Sequence, residues 1–242
     1  MPDRPRRPPT GGRRAAGGRS GGTALVLLAA GAGTRVGRET NKVFLPLAGR
    51  RVLTWSLDTT ERLPDLVATV VVLQDHDREH LDAVLHREAV GRDVEVVRGG
   101  DTRHASELAA LRLLAPRIAA GEIDLVMIHD AARPLASARL FESVAAAARA
   151  DGGALPVLDT DGLVYEDGAG VAERLVAVQT PQAFHAAPLL AAYEAAARDG
   201  FVGSDTAACV ERYSDLRVHG IAGRADNVKI TFSEDLVLAE RL

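Results

Sequence analysis

Residues 23–46 read TALVLLAAGAGTRVGRETNKVFLP. The first part, Ala24 to Ala30, is an apolar run without polar alternation, and its Leu and Val content predicts a strand buried on both faces, as in a parallel sheet. A glycine turn of Gly31, Ala32 and Gly33 follows, and then two cations, Arg35 and Lys42. Open α/β sheets bind ligands outside the carboxyl ends of their strands, and glycine lets backbone N–H groups approach an anion closely. The stretch therefore predicts an α/β fold and points to a bound polyphosphate. Gly31 and Gly33 taken alone are also compatible with a plain strand-to-helix turn.

Two common phosphate motifs do not fit. The Walker pattern needs Ser or Thr after its lysine, and Val43 follows Lys42. The dinucleotide fingerprint needs a third glycine three residues after Gly33; Val36 stands there and Gly37 misses by one.

Charge separates the chain into two parts. Residues 1–22 hold six Arg and one Asp, a balance of +5, which leaves 23 basic and 32 acidic residues, or −9, for the rest. The Arg-, Pro- and Gly-rich beginning reads as a disordered tail, and residues 23–242 as a single domain. An acidic body with 4% aromatic residues argues against a nucleic-acid partner. No apolar run approaches a membrane span, and no secretory signal opens the chain, so a cytoplasmic location is expected. Cys209, the single cysteine, is expected as a buried free thiol.

The remaining periodicities alternate between strand and helix. Residues 52–63 read as a helix with Trp55 in the core, stopped by Pro64, and 66–73 as a second buried strand. Residues 78–87 form an amphipathic helix with Leu81, Val84 and Leu85 on one face; His76, His80 and His86 around it supply no zinc ligand set. A short strand at 94–98 ends in Gly99, Gly100 and Asp101 before a helix from Arg103 to Leu114, which makes either an anion or base pocket or an ordinary turn and cap. The fourth strand, 123–129, delivers Asp130, Ala131, Ala132 and Arg133 to its end. A carboxylate there is placed to hold Mg²⁺ on a triphosphate; the alternative is an Asp paired with Arg133. A helix at 140–149 and a strand at 153–157 precede two short apolar runs around Glu166-Asp167-Gly168, which read as a hairpin arm over about 158–179. Helices at 187–197 and 205–213, a last strand at 216–219, and a terminal helix at 233–242 with a Ser-Glu-Asp cap complete the chain.

Several strings carry a resemblance over about 23–242. AAGAGTR with NKVFLPLAGRRVL, GGDTRHAS, HDAARP, TPQ and NVKIT followed by EDL are similar to segments of the 2-C-methyl-D-erythritol 4-phosphate cytidylyltransferases and their relatives acting on ribitol 5-phosphate. The resemblance implies a Rossmann-like nucleotide-diphospho-sugar transferase fold, a mostly parallel sheet with helices on both faces and a protruding β-hairpin arm. It implies CTP bound by Ala29, Ala30, Gly31, Gly33, Gly100, Asp101, Ser106 and Ala131, and Mg²⁺ held by Asp130 and Asp226. Arg35, Lys42 and Lys229 would be catalytic, with Arg133, Thr160 and Thr180 toward the polyol phosphate. In the family the arm embraces a second subunit, so a homodimer is expected.

The arm is also where the sequence departs from the family. Asp161 and Gly162 follow Asp159-Thr160 where a Lys or Arg is usual, and Ala172 stands at an expected Arg, with Arg174 two positions on. These departures touch the polyol phosphate side and leave the nucleotide half intact. Ribitol 5-phosphate or another polyol phosphate is the alternative acceptor, and an inactive nucleotide-binding scaffold the more remote reading.

Overall fold

A computed structural model describes residues 21–31, 40–60, 63, 65–89, 91–160 and 175–242. In chain order the elements are β1 (Gly22–Leu28), β2 (Pro46–Leu47), β3 (Arg50–Arg51), α1 (Val52–Thr60), β4 (Leu66–Leu73), α2 (Arg78–Arg87), β5 (Glu95–Arg98) and α3 (Arg103–Ala119). There follow β6 (Ile123–Asp130), α4 (Ala138–Asp151), β7 (Gly152–Asp159), β8 (Val176–Val178), β9 (Gln182–His185), α5 (Ala186–Arg198), α6 (Thr206–Tyr213), β10 (Arg217–Ala222) and α7 (Ser233–Arg241).

Alternate residues of β1 face opposite cores. Leu25 and Leu27 pack with α1, α2 and α4 through Leu53, Leu57, Leu81, Phe141 and Val144. Ala24 and Val26 pack with α3, α5 and α6 through Leu111, Leu114, Leu189, Tyr193 and Val210. A strand with helices on both sides has no solvated face, which is why its sequence shows no polar alternation. Burial of the β1 core side chains is complete, at 0% exposure for Ala24 to Leu27, and each such Leu or Val contributes about 1.5–3 kcal/mol relative to exposure.

The sheet runs β10-β7-β9-β6-β1-β4-β5, with β8 on β7. β1 pairs in parallel with both β4 and β6, β4 with β5, and β10 with β7. The carboxyl ends of β1, β4, β5 and β6 therefore open on one rim. The chain builds outward from β1 to β5 and then crosses back to place β6 on the other side of β1. That reversal leaves a crevice at the rim, where ligands of such sheets bind.

Three boundaries differ from expectation. The segment after the arm contains a strand that its sequence does not announce: β9 is antiparallel to both β6 and β7. It is four residues long, with Ala183 in one core and Phe184 in the other. Such a run is too short for periodicity to register. Helix α3 continues beyond Leu114 through Pro116 to Ala119. Burial of Leu114 and Ile118 against the sheet outweighs the lost backbone bond that made proline a plausible stop. At the last helix Ser233 does not cap; its hydroxyl donates to Glu234, and the Asp235 carboxylate accepts from the N–H groups of Thr231 and Phe232.

The expected tail falls outside the described residues except for Gly21 and Gly22, and Gly22 already opens β1. The base of the expected arm is present. β7 and β8 pair antiparallel from Val157↔Val178 to Asp159↔Val176, and Thr160 N–H donates to Leu175 C=O across the same ladder. The rest of the arm, 161–174, lies outside the described residues, and with it Ala172 and Arg174.

Candidate active site

A cavity of about 570 Å³ opens on the rim where β1, β4, β5 and β6 end. Its floor comes from the end of β1, Leu28 to Gly31. One wall is the turn after β5 and the start of α3, with Gly100, Asp101, Thr102, Arg103 and Ser106. Asp130 at the end of β6, Ala132 just beyond it, Lys229 ahead of α7, and Lys42 complete the lining. Of the residues expected around a nucleotide, Ala29, Ala30, Gly31, Gly100, Asp101 and Ser106 line this cavity. Ala131 is fully buried behind it. Gly33 and Arg35 lie outside the described residues.

The wall at α3 is a capped helix start behind a tight glycine turn. Thr102 caps the helix, its hydroxyl accepting from Ala105 N–H at 3.0 Å, and a capped helix start turns its N–H dipoles toward the space in front of it. Gly99 and Gly100 allow the turn to close. A Cβ on Gly99 would stand 2.4 Å from Ala30 Cβ, and one on Gly100 2.4 Å from Ala105 Cβ, so no larger residue fits between the β5 turn, β1 and the helix. Gln74 after β4 reinforces the turn, donating weakly to Gly99 and Gly100 C=O at 3.4 and 3.5 Å.

Lys42 is placed by its neighbour. It opens a single helical turn, Lys42–Phe44. The buried Asn41 side chain donates to Ala29 C=O at 2.6 Å and to Asp77 Oδ2 at 2.8 Å, and accepts from Val43 N–H at 3.3 Å. Asn41 thus ties the Lys42 turn to the end of β1. Val43 and Phe44 anchor the same turn in the core.

Asp130 sits among three cations. Lys229 Nζ is 2.8 Å from Oδ2, Arg103 Nε 3.5 Å from Oδ1 and Arg133 Nε 3.7 Å from Oδ2. Burial alone would raise the pKa of this carboxyl, but Lys229, Arg103 and Arg133 outweigh it and hold the group well below the usual carboxylate range. It is an ionised oxygen donor facing a cavity. Lys229 is brought there by backbone as well as by charge, since Ile230 N–H donates to Ala132 C=O at 2.8 Å and Arg133 Nη1 to Asn227 C=O at 2.7 Å.

Behind Asp130 lies a chain of buried hydrogen bonds. The Thr180 hydroxyl accepts from Asp130 N–H at 3.0 Å and meets His129 Nδ1 at 3.0 Å; His129 Nε2 meets Arg133 C=O at 3.3 Å. With one proton to give, Thr180 donates to Nδ1, and the neutral ring then donates from Nε2 to the carbonyl. Burial lowers the His129 pKa to about 4, in keeping with that neutral form.

Four expected roles look different in place. Thr180 is buried and holds His129 and Asp130, so its hydroxyl supports the site from behind. Arg133 is also largely covered, at 12% side-chain exposure, and braces Asp130 and the loop at Asn227. Thr160 stands at the arm base rather than on the cavity. Asp226 is engaged by Arg224 through both carboxylate oxygens and lines a separate recess with Leu238 and Leu242. Asp226 is thus turned to Arg224 and is not among the residues lining the cavity with Asp130.

Asn41, Gln74 and Glu107 carry no role in the sequence reading, and Arg103, though it stands in the GGDTRHAS string, is given none of its own there. Glu107, 1% exposed on α3, accepts from Arg103, from the Tyr193 hydroxyl and from Thr206 Oγ1, the last at 2.8 Å. The only sequence signal was an Arg and a Glu four apart on one helix, which ordinarily marks a solvated face.

The chain is similar to known proteins over most of its length. The sequence model of the family IspD, 2-C-methyl-D-erythritol 4-phosphate cytidylyltransferase, matches residues 23–242. A 2-C-methyl-D-erythritol 4-phosphate cytidylyltransferase from Geobacter metallireducens is 38% identical over 223 residues, covering 89% of this chain and 94% of the relative. A bifunctional enzyme IspD/IspF from Agrobacterium fabrum is 37% identical over 89% of this chain, which spans 55% of that longer protein. The crystal structure of 4-diphosphocytidyl-2C-methyl-D-erythritol synthase from Anaerococcus prevotii superposes with a TM-score of 0.77 at 25% identity, covering 92% of this chain and 98% of the other.

Proposed function

The chain belongs to the 2-C-methyl-D-erythritol 4-phosphate cytidylyltransferase family, and from that premise we infer that it transfers CMP from CTP to 2-C-methyl-D-erythritol 4-phosphate and releases pyrophosphate, a step of isoprenoid precursor synthesis. The observation that carries this reading is that Lys42, Asp130 and Lys229, remote from one another in sequence, line one cavity at the carboxyl rim of the sheet.

The reaction joins two polyanions. An oxygen of the acceptor phosphate attacks the α-phosphorus of CTP; the bond from that phosphorus to the bridging oxygen of the β-phosphate breaks, and pyrophosphate leaves. The nucleophile is already ionised near neutral pH, so no general base is required. The protein's work is positioning and charge compensation. Gly100, Asp101, Ser106 and the α3 N-terminus receive the cytidine end. Lys42 faces the triphosphate and the departing pyrophosphate, and Lys229 the incoming phosphate; Arg35 is assigned beside Lys42 from the sequence resemblance alone. Arg133 and Thr180 act from behind by fixing Asp130.

An ionised carboxylate on the cavity wall suits Mg²⁺, which commonly takes one or two protein carboxylates and completes its shell with phosphate oxygens and water. Asp130 is the residue that would hold it, and Asp226, bound to Arg224, is not. Bound there, the ion supplies charge neutralisation for the triphosphate oxygens.

We also propose a cytoplasmic homodimer built through the arm. Leu175, Val176 and Val178 at the arm base are 42%, 39% and 43% exposed, an apolar strip suited to a second subunit. No helix among the described residues is long and apolar enough to cross a membrane. A monomeric mass in sedimentation would remove the dimer.

Pyrophosphate release measured for four nucleoside triphosphates against a panel of polyol phosphates tests the activity. The expected result is a clear maximum for CTP with 2-C-methyl-D-erythritol 4-phosphate. Faster turnover of ribitol 5-phosphate would reassign the acceptor, and CTP binding with no pyrophosphate from any pair would leave only a nucleotide-binding protein.

A further inference from the structure

Glu107 is a buried carboxylate that the transfer reaction does not call upon. It sits four residues after Arg103, on the first turns of α3, and reaches inward between α3, α5 and α6. Its partners come from all three: Arg103 Nη1, the hydroxyl of Tyr193 on α5 and the hydroxyl of Thr206 on α6. Arg103 Nη1 also lies 3.4 Å from Thr206 Oγ1. Burying an ionised carboxylate costs several kcal/mol unless it is paired and fully hydrogen-bonded, and two hydroxyl donors plus one guanidinium meet that requirement here.

The other end of Arg103 faces the cavity. Its Nε lies 3.5 Å from Asp130 Oδ1, a looser approach than its direct bond to Glu107. A guanidinium is a rigid planar fork, so fixing Nη1 on Glu107 fixes where Nε and the rest of the plane stand. Without that anchor, Asp130 would be the nearest strong acceptor for Arg103. The guanidinium would then move from the wall onto a carboxylate that Lys229 and Arg133 already crowd.

We propose that Glu107 is a positioning residue: from beneath the cavity it captures Arg103 and keeps that cation in the α3 wall beside the bound nucleotide, so that its approach to Asp130 stays at the looser 3.5 Å. The inference rests on the reading of the cavity as a CTP site and adds to it a residue that never touches the ligand. Its bonds to Tyr193 and Thr206 tie α3 to α5 and α6, while any effect on the nucleotide runs through Arg103, and this is what separates it from a residue that merely stabilises the helices.

The test is a double-mutant cycle on CTP affinity, measured by calorimetry with Mg²⁺ present, together with KM and kcat from pyrophosphate release. Glu107→Gln is expected to weaken CTP binding about tenfold, the scale of one charge-assisted hydrogen bond. Arg103→Met is expected to weaken it at least as much, and Glu107→Met/Arg103→Met no further than Arg103→Met alone. Replacing both members of a buried ion pair by apolar residues of similar length commonly preserves folding, whereas Arg103→Met alone leaves the Glu107 carboxylate only its two hydroxyl donors. Should Arg103→Met or Glu107→Gln not fold, the double variant is compared with wild type, and a loss of CTP affinity well beyond about tenfold counts against the proposal. A double variant that binds CTP markedly more weakly than Arg103→Met overturns the proposal, as does a Glu107→Gln protein with wild-type affinity. Failure of the wild-type protein to bind CTP would instead sink the reading of the cavity; CTP binding with losses that simply multiply would sink Glu107 alone.

Discussion

Lys229 Nζ lies 2.8 Å from Asp130 Oδ2, and the loop that carries the lysine is pinned to the Asp130 loop by the Ile230-to-Ala132 backbone bond. The pair is thus a fixed feature of the rim. A lysine this close, with Arg103 and Arg133, keeps the Asp130 carboxyl ionised, the form in which it would hold Mg²⁺. Asp130→Asn and Lys229→Met are each expected to lower turnover roughly a hundredfold or more, the scale for removing one preorganised charge. Asp226→Asn is expected to stay within a few-fold of wild type, because its partner is Arg224. Pyrophosphate release over a Mg²⁺ titration checks all three, and an Asp226→Asn protein as impaired as Asp130→Asn would reverse the assignment of the metal ligand.

Lys42→Ala is expected to reduce kcat far more than CTP affinity. The lysine projects from a turn whose position is set by Asn41 and Phe44, so removing its side chain leaves the cavity wall standing while the charge that meets the leaving pyrophosphate is lost. Calorimetric CTP affinity beside steady-state kcat separates the two effects. Near-normal kcat would take Lys42 out of the mechanism.

Gly99 permits the turn after β5 to pass close to Ala30, beyond the end of β1. A Cβ there would lie 2.4 Å from Ala30 Cβ and 3.1 Å from Ser106 Oγ, both of which line the cavity. Gly99→Ala should therefore cost about 1–3 kcal/mol of stability by overpacking and raise KM for CTP, since relief moves Ala30 or Ser106. Urea denaturation and KM measured on the same protein test this; unchanged values in both would show that the turn has slack.

The parts of this fold that announce themselves in the sequence are those where one residue pattern admits one environment. β1 and β4 are apolar on both faces because both faces are covered, and the Gly99-Gly100 turn needs two residues without side chains. β9 gives no such sign, because four residues between a proline and a helix carry no period. The site divides the same way. Gly31, Lys42, Asp130 and Lys229 belong to local strings, each with a chemical reason to be at a strand end or loop. Asn41, Arg103 and Glu107 acquire their roles only from partners far along the chain, Asp77, Asp130 and Tyr193 among them, and a linear reading has no access to those meetings. Thr180 shows the converse: a hydroxyl with phosphate chemistry in its surroundings turns inward to hold His129 and the Asp130 backbone.

That inward role makes Thr180 a stability determinant as well as a support of catalysis. Thr180→Val leaves Asp130 N–H and His129 Nδ1 without a buried partner, at about 1–3 kcal/mol for each group. Thr180→Ser keeps the hydroxyl and is expected to recover most of the loss. Denaturant unfolding of the two variants, with kcat alongside, distinguishes this from direct contact with the acceptor: a Thr180→Val protein of wild-type stability and raised acceptor KM would place the hydroxyl on the substrate after all.

His129 gives the fold a defined acid limb. Its ring is fully buried against Phe141, with centroids 4.8 Å apart, and burial lowers its pKa from 6.5 to about 4. The native state therefore binds a proton less readily than the unfolded chain. Stability from this group is present above the unfolded pKa and is lost as pH falls from 6.5 through the folded value, by about 3 kcal/mol at pH 4. Asp130 adds nothing in that window, since its own folded pKa lies below the ordinary carboxylate value and its contribution disappears at still lower pH. His104, stacked on Tyr193, is also lowered by burial. The effect of His129 is accordingly the difference between wild type and His129→Gln in unfolding free energy between pH 7 and 4.5. The variant should be less stable at pH 7 and flatter below it, whereas parallel curves for the two proteins would mean that the ring is not titrating on unfolding.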